Sequence, residues 1–176
     1  EVPSHFRCLR AVGKGAYGMV CEAIDRKAQK GKERVAIKKI KEALYHPLDA
    51  KLVLRELKIS RLIGKHPNIL GIRDLVKPSS KRRMDTIYIV SDFMDTDLYR
   101  LCQSQVEFTE NHVRHLLYQM LCGLKYMHSA NILHRDMKTA NLLVDRNFNL
   151  QICKFPKHSP YRALLQPGTT TNRHRH

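Results

Sequence analysis

Asp136 and Asn141 lie in the stretch Ile132 to Leu143, ILHRDMKTANLL, an acid and an amide held at fixed spacing between two apolar flanks. The spacing H-R-D-x-x-x-x-N suits phosphoryl transfer, in which the carboxylate takes the proton of an attacking hydroxyl and the amide oxygen ligates magnesium. Such chemistry needs a backbone cradle for phosphates, a lysine to hold them and a second metal-binding carboxylate. Gly13, Gly15 and Gly18, in the run Gly13-x-Gly15-x-x-Gly18-x-Val20, are candidates for the cradle, because glycine lets backbone N–H groups approach phosphate with no Cβ in the way. Lys38 ends the apolar run Val35-Ala36-Ile37, and Glu56 could pair with it across a helix–sheet contact. Each has a plainer reading: a hairpin with convenient glycines, an edge-strand lysine with its head in water, or a surface ion pair worth about 0.3 to 0.5 kcal/mol.

The elements that must position these residues follow from periodicity. FRCLRAV and MVCEAI read as two strands around the turn GKGAYG, so residues 6 to 24 form a hairpin, not the strand-to-helix turn of a dinucleotide fold. RVAIKKI is a third strand. A helix is expected from about Pro47 to Ile63, with Leu48, Leu52, Leu57, Ile59, Leu62 and Ile63 at roughly helical steps and Gly64 after its end. NILGIRDLV and TIYIVSDF, joined by the basic loop KPSSKRRMD, complete a five-stranded antiparallel lobe. After the connector MDTD come a short helix, DLYRLCQS, and a long one from about Glu110 to Ser129 capped by Thr109. On the long helix Val113, Leu116, Leu117, Met120, Leu121, Leu124 and Met127 form a stripe expected to be buried, with His112, His115 and His128 at the surface. A hairpin, NLLVD-RNFN-LQICKF, follows the catalytic stretch.

At 176 residues and 43% hydrophobic composition, the chain suffices for one domain or two small lobes. No apolar run is long enough to span a membrane and the start, EVPSHFRCLR, lacks a signal-peptide core, which predicts an intracellular protein. Cys8, Cys21, Cys102, Cys122 and Cys153 show neither zinc nor disulfide spacing and are expected to be buried thiols. The 32 Lys and Arg outnumber the 16 Asp and Glu. They are interspersed with apolar residues and no aromatic platform accompanies them, which favours solvated faces and a phosphate site over a nucleic-acid groove.

In this order the motifs resemble a eukaryotic protein kinase, and their context resembles the MAP kinase family. VGKGAYGMV, VAIKKI, LREL, HPNI, IYIVSDFMDTDLY, LYQMLCGLKYMHSANILHRD and LQIC carry the likeness over about residues 5 to 155. The resemblance implies an α+β, protein-kinase-like bilobal fold. Residues 1–93 would be a complete antiparallel N-lobe with one helix, 94–155 an incomplete, mainly helical C-lobe, and 156–176 an unrelated basic tail. It implies a Ser/Thr kinase that transfers the γ-phosphate of ATP, with Mg²⁺, to hydroxyls followed by proline, under an upstream MAP kinase kinase. Cytoplasmic and nuclear residence is implied, with neither membrane nor nucleic acid as partner. Gly13, Gly15 and Gly18 would cover the phosphates, Lys38 would hold them and Glu56 would orient Lys38. Adenine would lie between Val12, Val20 and Ala36 above and Leu143 below, hydrogen-bonded to the backbone of Asp92 and Met94, with Asp97 at the ribose and the small Ser91 opening a rear pocket. Asp136 would be the base, Lys138 would steady the γ-phosphate and Asn141 would be a metal ligand. MKTAN replaces the family's more usual LKPSN without touching these positions.

Lys154-Phe155-Pro156 stands where the family has D-F-G, whose Asp makes the principal magnesium contact. A cation there replaces attraction by repulsion, about 4 kcal/mol per unit-charge pair at ~4 Å and an effective dielectric of ~20. Beyond it the A-P-E and T-x-Y motifs do not follow, and PKHSPYRALLQPGTTTNRHRH reads as a disordered tail in which Ser159-Pro160 is a chance pair. The expectation is a chain truncated after the start of the D-F-G region, catalytically impaired and prone to associate. The alternative function is a nucleotide-binding, pseudokinase-like fragment or decoy. A nucleic-acid-binding protein is motivated by charge alone.

Overall fold

The computed structural model describes residues 2–15, 18–41, 43, 45–76 and 86–153. Apolar and β-branched residues alternate through strands β1 (Phe6–Gly15), β2 (Gly18–Asp25), β3 (Arg34–Ile40), β4 (Ile72–Val76) and β5 (Ile87–Asp92). They pair antiparallel in the order β1-β2-β3-β5-β4, the five-stranded lobe expected. One sheet face packs a core of Phe6, Ala23, Val35, Ile37, Val76, Tyr88 and Val90. Across the other face, Val20 is opposite Lys38, Ala36 opposite Ser91 and Lys38 opposite Ile89, so these side chains share a surface. Gly18 has φ +141°, and a Cβ there would meet the Lys39 carbonyl oxygen at 1.7 Å. Only glycine fits this strand end.

Helix α1 (Pro47–Ile63) has the expected bounds. His46 caps it by accepting from the Leu48 N–H, Pro47 opens the first turn, where its missing N–H costs nothing, and the Gly64 N–H closes on the Ser60 carbonyl. A small core of Ile40, Ala43 and Ile89, joined by Val53, Leu57, Ile72 and Ile87, holds α1 on the sheet.

The second part combines a three-stranded sheet, β6 (Thr96–Asp97), β7 (Leu142–Val144) and β8 (Leu150–Ile152), with helices α2 (Leu98–Gln103) and α3 (Glu110–Ser129). The largest core gathers Ile63, Ile69, Leu116, Met127, Ile132, Leu142, Val144, Leu150 and Ile152. The segment after α1 docks on β8 through paired backbone bonds, Leu70 N–H to the Ile152 carbonyl and Ile152 N–H to the Asn68 carbonyl, both 2.9 Å. This pairing is why β4 begins at Ile72 and not at Asn68. The buried Gln119 amide completes the joint: its oxygen accepts from Asn68 (3.0 Å) and from the Leu150 N–H (2.9 Å), and its nitrogen donates to the Phe148 carbonyl (2.8 Å).

Three expectations need correction. The α3 stripe is only partly buried: Leu116 and Met127 are enclosed, but Val113, Leu117 and Leu121 are 53%, 50% and 54% exposed. The face turned inward is centred on Leu116, Gln119, Gly123 and Met127, because Gly123 lets the helix approach β8 and Asn68 closely and Gln119 has backbone partners there. The thiols are not uniformly buried either. Only Cys153 is; Cys8 on the outermost strand and Cys102 on α2 are exposed, and Cys21 and Cys122 are intermediate. His112 is no idle surface histidine, since it completes the α3 capping box with Thr109 and stacks on Phe148 at 4.3 Å. The loop KPSSKRRMD, Ala16 and Tyr17 of the glycine turn, and everything from Lys154 onward lie outside the described residues.

Replacing Gln119 by Leu strips three hydrogen bonds from buried and part-buried backbone and amide groups. We predict a loss of about 2–4 kcal/mol, read as a lower urea midpoint at unchanged m-value.

Candidate active site

β3 carries Lys38 on the sheet face that α1 covers, and Glu56 projects from α1 toward it; Lys38 Nζ and Glu56 Oε1 are 2.9 Å apart. The side chains are 31% and 18% exposed, so the pair fixes a geometry more than it adds stability. Val20 and Ala36 lie on the same face. Val12 falls in a register shift of β1 between Ala11 and Gly13, and a Cβ at Gly13 would meet only open space. Gly15 pairs with Gly18 at the end of the hairpin.

The stretch Ile132 to Leu143 is ordered by a buried asparagine. Asn141 is fully enclosed at the end of a 3-10 turn, Thr139–Asn141. Its Nδ2 donates to the Asp136 carbonyl (2.7 Å) and to Asp136 Oδ2 (2.9 Å), while Lys138 Nζ donates to Asp136 Oδ1 (3.0 Å). The Lys138 hydrogen bond, then that of Asn141, hold the Asp136 carboxyl below its ordinary value. Arg135, just before it, has φ +58°, a left-handed backbone that turns the half-exposed carboxylate out of the loop. Asn141 Oδ1 is buried with no hydrogen-bond partner among the described residues.

Comparison with known proteins decides the family. Residues 6–159 match the protein kinase domain. The chain belongs to the protein kinase family. Within it, the chain is 46% identical over 147 residues to mitogen-activated protein kinase homolog MMK2 of Medicago sativa, covering 84% of this chain and 38% of that protein. It is 45% identical over 156 residues to mitogen-activated protein kinase 3 of Arabidopsis thaliana, 88% of this chain and 41% of the relative. The homolog NTF6 of Nicotiana tabacum is 47% identical over 147 residues, 84% of this chain and 38% of the relative. The resemblance to MAP kinases is borne out, and the chain spans about two fifths of the length of these relatives.

Between the two parts of this kinase chain, Asp92 ends β5 and its carboxylate pairs with Arg73, leaving the backbone of Asp92 and Met94 as the connector. Asp97 lies opposite Leu143 across β6 and β7, so the two share a face. Its carboxylate also caps α2, accepting from the Arg100 N–H at 2.9 Å. Among the described residues no hydrogen bond or ion pair joins Lys38 and Glu56 to Asp136, Lys138 and Asn141. The groups are separate halves of one candidate site.

Sequence reasoning missed two supports. His134 is buried; its Nδ1 accepts from the Asp136 N–H (3.3 Å) and its Nε2–H then donates to the Cys153 carbonyl (2.9 Å). A histidine that follows the apolar pair Ile132-Leu133, two residues before the acid, was the available signal. The second support is a chain of charges. Glu22 accepts from Arg10 and Arg34 at 2.8 Å, Arg34 reaches Asp95 at 3.4 Å and stacks on Phe93, and Asp95 accepts from Arg146 at 3.1 Å. No local pattern announces a network across residues so far apart in sequence.

Substituting Lys138 by Met removes the main cause of the Asp136 depression, and we predict that its carboxyl pKa rises toward the ordinary Asp value, measured by carbon-13 NMR titration. A depressed carboxylate favours the folded state above its unfolded-chain value and loses that contribution as pH falls through the depressed value. The variant therefore loses the additional acid sensitivity this group confers.

Proposed function

We propose that the cleft between the five-stranded sheet and the β6–β8 sheet is a nucleotide site, and that the parent activity is transfer of the ATP γ-phosphate to protein hydroxyls followed by proline, downstream of a MAP kinase kinase. The observation that carries the reading is the Lys38–Glu56 pair at 2.9 Å, which holds an ammonium on the site face of the sheet. In this reading Gly13, Gly15 and Gly18 cover the phosphates, Val12, Val20, Ala36 and Leu143 enclose the base, the backbone of Asp92 and Met94 pairs with it, and Asp97 meets the ribose. Bound ATP supplies the phosphoryl group. Asp136, held below its usual range, accepts the hydroxyl's hydrogen bond and orients it, and Lys138 balances phosphate charge. The lobe boundary lies near residues 93 and 94. Cytoplasmic and nuclear residence belongs to the same proposal; among the described residues no helix is long and apolar enough to cross a membrane.

For this chain we propose nucleotide binding with impaired transfer. Asn141 Oδ1, an orphan buried oxygen, fits one position of a magnesium shell. Among the described residues there is no group of three or more His, Cys, Asp or Glu that could hold a metal ion. Lys154 supplies a cation at the position of the family's metal-binding Asp and lies outside the described residues. A binding module that works without metal, or a decoy that occupies nucleotide without turnover, is favoured by that substitution.

ATP at a hundred times its Kd stabilises a one-site protein by ~2.7 kcal/mol. We predict a rise in melting temperature in ATP that EDTA leaves unchanged and Lys38→Met removes, with no phosphate transfer to a Ser-Pro peptide. Absence of the rise in both buffers refutes the nucleotide site. Transfer that is lost on Asp136→Asn refutes the impairment.

A further inference from the structure

The outer face of α1 takes no part in the nucleotide reading. Successive residues turn by about 100°, so Leu48, Lys51, Leu54, Lys58, Arg61 and Leu62 fall within an arc of about 140°. Leu48, Leu54 and Leu62 are 66%, 52% and 61% exposed, and Lys51, Lys58 and Arg61 are exposed beside them. Lys65, also exposed, extends the face past Gly64. None of these four cations forms an ion pair among the described residues. The two acids of α1 lie away from the arc: Glu56 is committed to Lys38, and Asp49 lies in the first turn about 160° from Lys51.

We infer that this face docks an acidic protein segment that carries apolar side chains among its carboxylates. Charge complementarity sets the sign of the partner, and the leucines set its class. A phosphate backbone rewards the cations and leaves exposed leucines in water. A lipid surface rewards a continuous apolar strip. Here the leucines are six and eight residues apart, or about 9 and 12 Å along the axis, with cations between them, so they make no continuous strip. An acidic amphipathic helix with spaced apolar anchors meets both kinds of side chain at once. Exposed leucines on a basic helix are otherwise a liability for solubility.

The test uses the whole chain and a labelled amphipathic peptide of Glu, Ala and Leu, followed by fluorescence anisotropy. Two site variants, Lys58→Glu with Arg61→Glu and Leu54→Ser with Leu62→Ser, change exposed side chains, and circular dichroism checks their fold. Lys30→Glu with Lys125→Glu makes the same change in net charge at exposed positions elsewhere. The expected result is a loss of about tenfold or more in peptide affinity for each site variant, near-parent affinity for the remote one, and weak binding of a peptide with Ser in place of Leu. Equal loss in the remote variant, or equal binding of the Ser peptide, overturns the proposal in favour of unspecific charge. Tighter binding to phosphatidylserine vesicles than to the peptide, lost in the site variants, overturns it in favour of a membrane, and no peptide binding overturns it outright. None of these readings depends on ATP, so the nucleotide proposal stands or falls separately.

Discussion

Asn141 is the constraint on which the stretch from Ile132 to Leu143 depends. Its nitrogen holds the Asp136 backbone and carboxylate together, its own N–H closes the turn on the Lys138 carbonyl, and its carbonyl receives the Cys153 N–H at 3.0 Å. One enclosed residue therefore fixes the acid through its side-chain amide, and the Lys138 carbonyl and the end of β8 through its backbone. His134 repeats the arrangement from the other side, tying the Asp136 N–H to the Cys153 carbonyl. An apolar residue of similar size could fill the space but would leave the carboxylate held by Lys138 alone. The orphaned Oδ1, whose desolvation costs about 1–3 kcal/mol, is the cost accepted for having an oxygen there.

A second level of organisation sets this loop against the glycine hairpin and Lys38. The backbone bonds between residues 68–70 and β8 are the rigid part, because they are flanked by Ile63, Ile69 and Ile152 in the largest core. The chain from Arg10 through Glu22, Arg34 and Asp95 to Arg146 is the softer part. Burial alone would raise the Glu22 carboxyl, but hydrogen bonds from Arg34 and Arg10 outweigh it and hold the group ionised. Arg146 is largely exposed, so the last link is screened by salt and contributes alignment more than energy.

Legibility in the sequence followed the range of the interaction. Helix bounds at Pro47–Ile63 and Glu110–Ser129 were readable because caps and periodicity are local, and the five strands because β-branched runs between glycine and polar turns are local too. The Lys38–Glu56 pair was anticipated from motif order and lies at ion-pair distance. The faces were less legible. The expected stripe on α3 was drawn through leucines, whereas packing chose Gly123 for close approach and Gln119 for its backbone partners, both invisible to hydrophobic counting. Cysteine burial failed similarly, since exposure depends on strand order: Cys8 is on the outermost strand and Cys153 beside Asn141. Two-residue β6 and the Asp95 network arise only when distant segments meet.

Helix α1 joins these levels. Only Ser60 and Ile63 of its residues are buried, and its hold on the sheet is the smallest of the three cores. The partly hydrated Lys38–Glu56 pair adds at most about 1 kcal/mol. A force of that size is easily matched by anything bound to the outer face, where three leucines and several unpaired cations face water. Because Glu56 and that face belong to one rigid helix, a ligand there shifts the Lys38 ammonium only so far as it prefers one helix position over another. The same weak attachment leaves Glu56, and with it the geometry of the Lys38–Glu56 pair, adjustable from the outer face of α1.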